Sequence, residues 1–158
     1  MAVPFLVASP LVNLAVTIQD GAVTKISLHG RATRPPETRL EQQVAQELTE
    51  YLAGSRSRFT FPVSPAGTPF EQRCWDALQQ IPYGETRTYG EIARAVGTPT
   101  GARAVGSANH KNPIPIVIPC HRVVAAGGGL GGYGGGLDLK RRLLALEQAG
   151  GDRVLNRE

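Results

Sequence analysis

The sequence has few of the features that mark a secreted or membrane-spanning protein. It contains two cysteines, Cys74 and Cys120, in 158 residues. That is too few for a framework of disulfides, and without clustered histidines the two sulfurs cannot form the usual structural zinc site. No apolar run reaches the roughly 18 residues that a membrane span needs, and the apolar N-terminus lacks the basic start of a secretory signal. We therefore expect a soluble, intracellular protein with no membrane partner.

Acidic residues are missing from one long stretch of the chain. The sequence has 17 Lys and Arg against 13 Asp and Glu, a net charge of +4, but no acid lies between Ile92 and Leu137. The cations in this stretch include Arg94, Arg103, Lys111 and Arg122. A basic surface of this kind attracts polyanions, of which nucleic acid is the commonest. Charge alone leaves open an ordinary solvated basic face.

The first part of the chain predicts a small α/β lobe. The whole chain of 158 residues has a length that suits one compact unit or two small lobes that share a core. A β-hairpin with a turn at Asp20-Gly21 is predicted, because apolar residues alternate with polar ones on both sides of it. The two predicted faces are Val12, Leu14, Val16 and Ile18, and Ala22, Thr24, Ile26 and Leu28. A capping box at Thr38 opens a helix that ends near Gly54, and residues 54–68 form a connector that could add an edge strand.

The second part predicts a mainly helical lobe. Capping boxes at Thr68 and Thr88 open two helices, and the first carries the apolar stripe Phe70, Cys74, Leu78 and Ile81. A glycine turn and a short helix over 101–110 then complete a helix-turn-helix candidate. Residues 112–119 are too rich in proline for a regular element and too apolar for exposure, and Asp138 is expected to cap a last helix. The fold class is α+β, with residues 1–67 as the N-terminal lobe and 68–158 as the C-terminal domain.

Cys120 is the candidate for chemistry, because the buried apolar segment holds it directly before His121 and Arg122. A cysteine becomes nucleophilic as the thiolate, which a nearby cation or base favours. Adjacent side chains usually point apart, so His121 would need a water to take the proton. Glu147 on the last helix could orient the imidazole. The alternatives are a buried, inert Cys120 and a solvated Glu147.

Two further segments admit more than one interpretation. The glycine-rich residues 127–136 lack any phosphate-binding signature, so they either let the backbone approach a flat ligand that Tyr133 covers or form a flexible loop. Arg103 stands among small residues that could come close to a DNA groove, although an ordinary surface arginine would look the same. Because its helix has few polar groups to read base edges, binding should depend little on sequence.

These residues together resemble a known family. The run from Arg103 through Asn112-Pro-Ile-Pro-Ile-Val-Ile-Pro-Cys120-His121-Arg122-Val123, followed by Gly-Tyr133-Gly-Gly-Gly-Leu and Leu-Leu-Ala-Leu-Glu147, is similar to the O6-alkylguanine-DNA alkyltransferases. The match covers about residues 68–149, and the Pro-Cys-His-Arg-Val core is highly specific.

The resemblance implies direct reversal of DNA damage. The protein would flip an O6-alkylated guanine, mainly O6-methylguanine, out of duplex DNA and move the alkyl group irreversibly onto Cys120. His121 would be the water-mediated base and Glu147 its orienting partner. One molecule would repair one lesion, with no cofactor.

The resemblance also assigns DNA and pocket residues. Asn112 would brace the active-site segment, Arg103 would fill the space left by the flipped base, and Tyr89 would help rotate the 3′ phosphate and bond the purine. The DNA-contacting set is Arg103, Tyr89, Ala102 and Gly106. The substrate pocket would comprise Val123, Tyr133, Gly134, Pro115 and Leu130, with Val123 and Gly134 offering backbone amides.

The resemblance further implies a protein that binds the DNA minor groove. We expect a monomer, and cooperative binding along DNA stays open. The location would be cytoplasmic, with the nucleoid in a prokaryote or the nucleus in a eukaryote. Some relatives hold zinc in the N-terminal lobe, but this lobe has only His29 and no cysteine, so no metal is expected. Gly134 stands where some relatives carry Ser, and Cys120 stands where non-catalytic relatives carry Trp.

Two other functions compete with this one. A lesion sensor would flip the base and recruit repair factors without forming an alkyl adduct. A cysteine hydrolase would use Cys120 and His121 on many esters without DNA, and the lack of a recognisable oxyanion motif disfavours it.

Overall fold

The computed structural model describes residues 2–155. The N-terminal lobe contains a three-stranded antiparallel sheet in the order β1-β2-β3, formed by Phe5–Val7, Leu14–Gln19 and Ala22–Ser27. The predicted hairpin is confirmed. Asp20 and Gly21 both have positive φ, 52° and 79°, as a two-residue turn that matches the twist of the strands requires. The sequence analysis did not identify the three-residue strand β1.

The predicted second face of the hairpin is wrong in its first half. The register shifts between Thr17 and Ile18, so that Thr17 pairs with Lys25 but Ile18 pairs with Val23. Strand β3 therefore has one residue more than β2 at this point, Thr24. The residues before it point to the opposite face from the one that regular alternation predicts. Val23 and Ile26, three positions apart, are therefore both buried, while Ala22 and Thr24 are not.

Helix α1, Arg39–Leu52, lies against the sheet and begins at the predicted capping box. Thr38 accepts a hydrogen bond from the amide of Glu41, whose side chain accepts one from the Thr38 amide. The helix buries Val44, Leu48, Tyr51 and Leu52 in the core. In the connector that follows, Val63 alone forms a parallel bridge to Val23, so the edge strand is reduced to a single pair.

Among the described residues, the second lobe contains four α-helices: α2 (Pro69–Gln79), α3 (Tyr89–Ala95), α4 (Ala102–His110) and α5 (Leu137–Leu155). Two short strands, β4 (Arg87–Thr88) and β5 (Val123–Val124), pair in parallel. Helices α3 and α4 form the predicted helix-turn-helix, with Gly97 at φ 85° in the turn. None of the helices in the described residues is long and apolar enough to cross a membrane.

The core of this lobe departs from the predicted stripe of α2 at one residue. Cys74, Leu78 and Ile81 are buried as expected, but Phe70 is only half-buried and Trp75 is buried instead. The indole of Trp75 donates a hydrogen bond of 2.9 Å to the carbonyl of Ala108. Trp75 therefore joins α2 to α4, a role that the spacing of apolar residues did not reveal.

Two remaining predictions concern the segments around the site. Ile114, Ile116 and Ile118 are almost fully buried outside any helix or strand, which confirms the irregular segment. Asp138 does not cap α5, because the helix already begins at Leu137 and Asp138 lies in its first turn.

One apolar cluster runs through both lobes. The predicted boundary between residues 67 and 68 stays a prediction, and residues 1 and 156–158 of those lobes lie outside the described part of the chain.

Candidate active site

Cys120 is held by a rigid loop rather than by a long helix or strand. It begins a short 3-10 helix, Cys120–Arg122, and its amide donates to the carbonyl of Ile118 at 2.8 Å. Asn112 closes the loop from the other side, since its Nδ2 donates to Ile118 O at 2.8 Å and its Oδ1 accepts from Ile114 N at 2.9 Å. These bonds fix the position of the thiol.

The surroundings of Cys120 hold it as a thiol. Burial raises the pKa of Cys120 above its ordinary value, and a hydrogen bond with Asn112 and the charge of Lys140 offset this only in part. A buried thiolate is costly without a partner. Reaction at Cys120 therefore needs a group that takes its proton.

His121 and Glu147 form a buried pair next to this thiol. His121 Nε2 lies 2.7 Å from Glu147 Oε2, and the two side chains are 0% and 1% exposed. The predicted partnership of His121 and Glu147 is thus present as a contact. Glu147 is brought to it by α5, on the same helix side as the buried Leu143.

Glu147 is surrounded by hydrogen-bond donors. Its Oε1 accepts from Arg122 Nε at 2.8 Å and from the amide of Gly84 at 3.2 Å. Its Oε2 accepts from Arg122 Nη2 at 2.9 Å and from the hydroxyl of Tyr51. Burial alone would raise the pKa of Glu147, but the bonds from His121 and Arg122 outweigh it and lower that pKa to about 2. The group is a carboxylate.

The charge state of Glu147 fixes the tautomer of His121. A carboxylate can only accept, so His121 Nε2 carries the proton that it donates. Burial lowers the pKa of His121 more than Glu147 raises it, which favours the neutral ring. Nδ1 is then a base, and this buried atom has no hydrogen-bond partner among the described residues.

A cavity of about 240 Å³ opens in front of Cys120. Of the residues predicted for the pocket or for DNA contact, Tyr89, Gly106, Tyr133 and Gly134 line it. The sequence analysis missed three other lining residues, Asn109, His110 and Gly132.

The other predicted pocket residues, Val123, Leu130 and Pro115, do not line this cavity. The carbonyls of Val123 and Leu130 instead accept hydrogen bonds of 2.6 and 2.5 Å from the ammonium of Lys140. Lys140 is fully buried, and it also donates to the carbonyl of Gly132 at 3.0 Å. Pro115 is buried and bridges to Ile118. Lys140 thus fastens the glycine-rich loop to the strand behind Cys120, and no sequence pattern indicated it.

Helix α4 forms one wall of the site. Its residues Ala102 and Arg103 are exposed, and Arg103 shares a helix face with Gly106 and His110, which lie three and seven positions later. A Cβ atom on Gly106 would stand 4.0 Å from the Tyr89 ring. The exposed arginine is therefore on the side of the helix that borders the cavity.

In the described part of the chain, no three His, Cys, Asp or Glu side chains are grouped so that they could hold a metal ion.

A family model described as the DNA-binding domain of 6-O-methylguanine DNA methyltransferase matches residues 69–149. The methylated-DNA–protein-cysteine methyltransferase of Mycolicibacterium paratuberculosis is 46% identical over 148 residues, which cover 90% of each chain. This chain belongs to the methylated-DNA–protein-cysteine methyltransferase family.

Other members of the methyltransferase family are similar to this chain over nearly its whole length. The constitutive enzyme of Bacillus subtilis is 40% identical over 151 residues, covering 89% of this chain and 92% of the relative. The structure of the Mycobacterium tuberculosis protein OGT in complex with DNA is 42% identical and superposes with a TM-score of 0.85 over 93% of both chains. The N-terminal lobe, for which the sequence showed only a general likeness, is thus included in the similarity.

Proposed function

We propose that this protein repairs DNA by transferring the alkyl group of O6-alkylguanine, mainly O6-methylguanine, irreversibly to Cys120. The observation that carries the proposal is a buried thiol that lines an open cavity, while a neutral histidine, oriented by a carboxylate, follows it in the chain. The family to which the chain belongs supports the reaction type.

The transfer is a displacement at the alkyl carbon. His121 Nδ1 accepts the proton of Cys120 through a water, and Glu147 stabilises the imidazolium that forms. The thiolate attacks the carbon, the bond between carbon and O6 breaks, and the guanine leaves with the bonding electrons and takes up a proton. The thioether does not revert, so each protein reacts once.

The base must leave the duplex to reach this thiol, because Cys120 is 7% exposed. A volume of about 240 Å³ is below that of pockets for drug-sized ligands, about 300–1,000 Å³, and suits a single base. Asn112 keeps the thiol in place, and Tyr89, Tyr133 and Gly134 surround the purine. Flipping costs a few kcal/mol.

Helix α4 enters the minor groove in this proposal. Ala102 and Gly106 allow close approach, and Arg103 takes the place of the flipped base. The absence of acidic residues from Ile92 to Leu137 favours contact with phosphates, with little preference for sequence. The protein would act as a monomer in the compartment that holds the DNA.

The test is the intact mass of the protein, with peptide mapping, after it is mixed with a duplex that carries one O6-methylguanine. We expect one added methyl group on the peptide that contains Cys120, saturating at one per protein. An undamaged duplex and the Cys120→Ala variant are the controls.

Two results would contradict the proposal. Tight, lesion-selective binding with an unchanged mass would make the protein a lesion sensor. Repeated turnover of esters without DNA would make it a cysteine hydrolase.

A further inference from the structure

The N-terminal lobe reaches the proton relay through one side chain, Tyr51 of α1. Tyr51 is fully buried, and its hydroxyl donates a hydrogen bond to Glu147 Oε2. The same hydroxyl lies 3.4 Å from His121 Nε2. Tyr51 therefore shares with His121 the one carboxylate oxygen on which the orientation of the imidazole depends.

Neighbouring rings fix the place of Tyr51. The ring of Phe59 lies 5.3 Å from it at an angle of 43°, and the ring of Tyr83 lies 6.0 Å away at 89°. Burial, and then the charge of Glu147, raise the pKa of Tyr51 well above its ordinary value. Its hydroxyl therefore keeps its proton at neutral pH and remains a donor to the carboxylate.

We propose that Tyr51 is a positioning residue of the proton relay, which holds the Glu147 carboxylate against His121 and so makes the N-terminal lobe part of the active site. The inference rests on the proposed function, since it concerns the base that serves Cys120. It assigns to this lobe a role in the reaction, beyond support of the core.

Because Tyr51 and His121 donate to the same carboxylate oxygen, loss of the Tyr51 hydroxyl should change the pKa of His121 in a definite direction. Oε2 receives hydrogen bonds from Tyr51, His121 and Arg122. Each donor withdraws electron density, so the loss of one strengthens the bond that the others receive. Without the Tyr51 hydroxyl, Glu147 stabilises the imidazolium more strongly, and the pKa of His121 rises. The titratable or charged groups packed around His121 and Glu147 are Tyr51, Tyr83, Cys120, Arg122, Tyr133 and Lys140.

The first experiment compares Tyr51→Phe with the wild type in two measurements. One is the single-turnover rate of methyl transfer as a function of pH, and the other is the titration of His121 by NMR in unreacted protein. We expect the plateau rate to fall about tenfold, because a carboxylate that has lost one of its donors orients the imidazole less precisely. Groups that orient metal-binding histidines have effects of this order. The acid limb of the pH profile and the NMR titration of His121 should both move to higher pH, while the final stoichiometry stays at one methyl group per protein.

Phe59→Leu is the matched control, because it disturbs the packing of the Tyr51 ring and removes no polar group. A purely structural role would lower the thermal stability of both variants and leave the His121 titration unmoved. The inference is overturned if Tyr51→Phe reacts within twofold of the wild type with an unshifted acid limb, or if Phe59→Leu reproduces both shifts.

A fluorinated tyrosine at position 51 tests the same idea without removing the hydroxyl, and serves if Tyr51→Phe fails to fold. It is a stronger donor, so the pKa of His121 should fall; a rise or no change would contradict the proposal. The NMR titration needs no alkyl transfer. A wild-type protein that takes up no methyl group would therefore refute the proposed function, while the role of Tyr51 in placing Glu147 would be judged separately.

Discussion

Apart from the base His121 Nδ1, which is unpaired among the described residues, the two sides of Cys120 differ in how completely their polar groups are paired. Behind it, the carboxylate of Glu147 accepts five hydrogen bonds, from Tyr51, His121, Gly84 and, twice, Arg122. In front of it, the amide of Asn109 and the hydroxyl of Tyr133 are buried without a hydrogen-bond partner in the described structure. Unpaired buried groups are costly. The paired side gives rigidity, and the unpaired side provides donors and acceptors for a ligand.

This difference predicts where substitutions act. Changes on the paired side should cost folding free energy and reaction rate together. Changes on the cavity side should alter the reaction and leave the stability nearly constant, unless they strain the backbone.

The largest loss of folding free energy is expected for Glu147→Gln. The substitution removes the charge that compensates Arg122, which is 7% exposed, and breaking such a buried pair costs about 3–5 kcal/mol. Urea unfolding at pH 7 measures the loss. Glu50→Gln is the control, because its ion pair with Arg56 is partly exposed and solvent screening makes such a pair contribute far less. Equal losses in the two variants would show that the buried network does not stabilise the fold.

The pH dependence of stability should follow from the same pair. The pKa of Glu147 is lowered from 4.5 to about 2, so its contribution is fully present above 4.5 and is lost as the pH falls toward 2. The lowered pKa of His121 adds a loss that begins at higher pH, because the unfolded state binds the proton more readily. Urea unfolding at a series of pH values should show a shallower decline below pH 4.5 for Glu147→Gln than for the wild type. Parallel declines would contradict this assignment.

Arg103→Ala tests the outer edge of the cavity side. Arg103 is exposed on α4, so its loss should leave stability unchanged. Repair of a duplex should slow about tenfold, because part of the cost of flipping is no longer offset, whereas the reaction with free O6-benzylguanine should stay within twofold. Arg39→Ala, which removes an exposed charge from α1, is the control. Equal loss on both substrates would mean that Arg103 does not replace the base.

Gly131→Ala tests the cavity wall through Tyr89, a lining residue that Gly131 contacts. Gly131 has φ +72°, and a Cβ atom there would lie 2.6 Å from the hydroxyl of Tyr89. Positive φ costs an L-residue about 1–2 kcal/mol, and Tyr89 must move. We expect a slower reaction with O6-benzylguanine and a modest loss of stability. Gly129→Ala is the control, since its Cβ would meet only Ala125 at 3.5 Å. Identical kinetics of the two variants would show that the position of Tyr89 does not affect the reaction.

The sequence predicted the parts of this arrangement that local rules govern. The capping boxes at Thr38, Thr68 and Thr88 each involve residues three apart, and all three are present. The pairing of His121 with Glu147 was accessible because the residue types and the family resemblance both indicated it.

Contacts between distant segments could not be predicted in this way. Tyr51 belongs to the apolar stripe of α1, and nothing in its neighbours shows that its hydroxyl meets a carboxylate 96 positions later. The burial of Lys140 could not be predicted either, since a buried lysine is rare. It is stabilised by carbonyl groups that only the folded structure brings around it. The extra residue in β3 was not predicted, because a single inserted residue leaves the alternation of apolar and polar residues almost intact.

The smallest effect is expected for Gly134→Ser. A Cβ atom at this position would meet nothing within 4 Å, so the side chain fits and stability should change by less than about 0.5 kcal/mol. The new hydroxyl adds a donor at the cavity, and one neutral hydrogen bond is worth about 1 kcal/mol, or roughly fivefold. The rate with free O6-benzylguanine should therefore rise by up to about fivefold, as single-turnover kinetics would show. Gly134→Ala adds the same carbon without the donor, and if it gave the same rise, the effect would come from packing and not from hydrogen bonding.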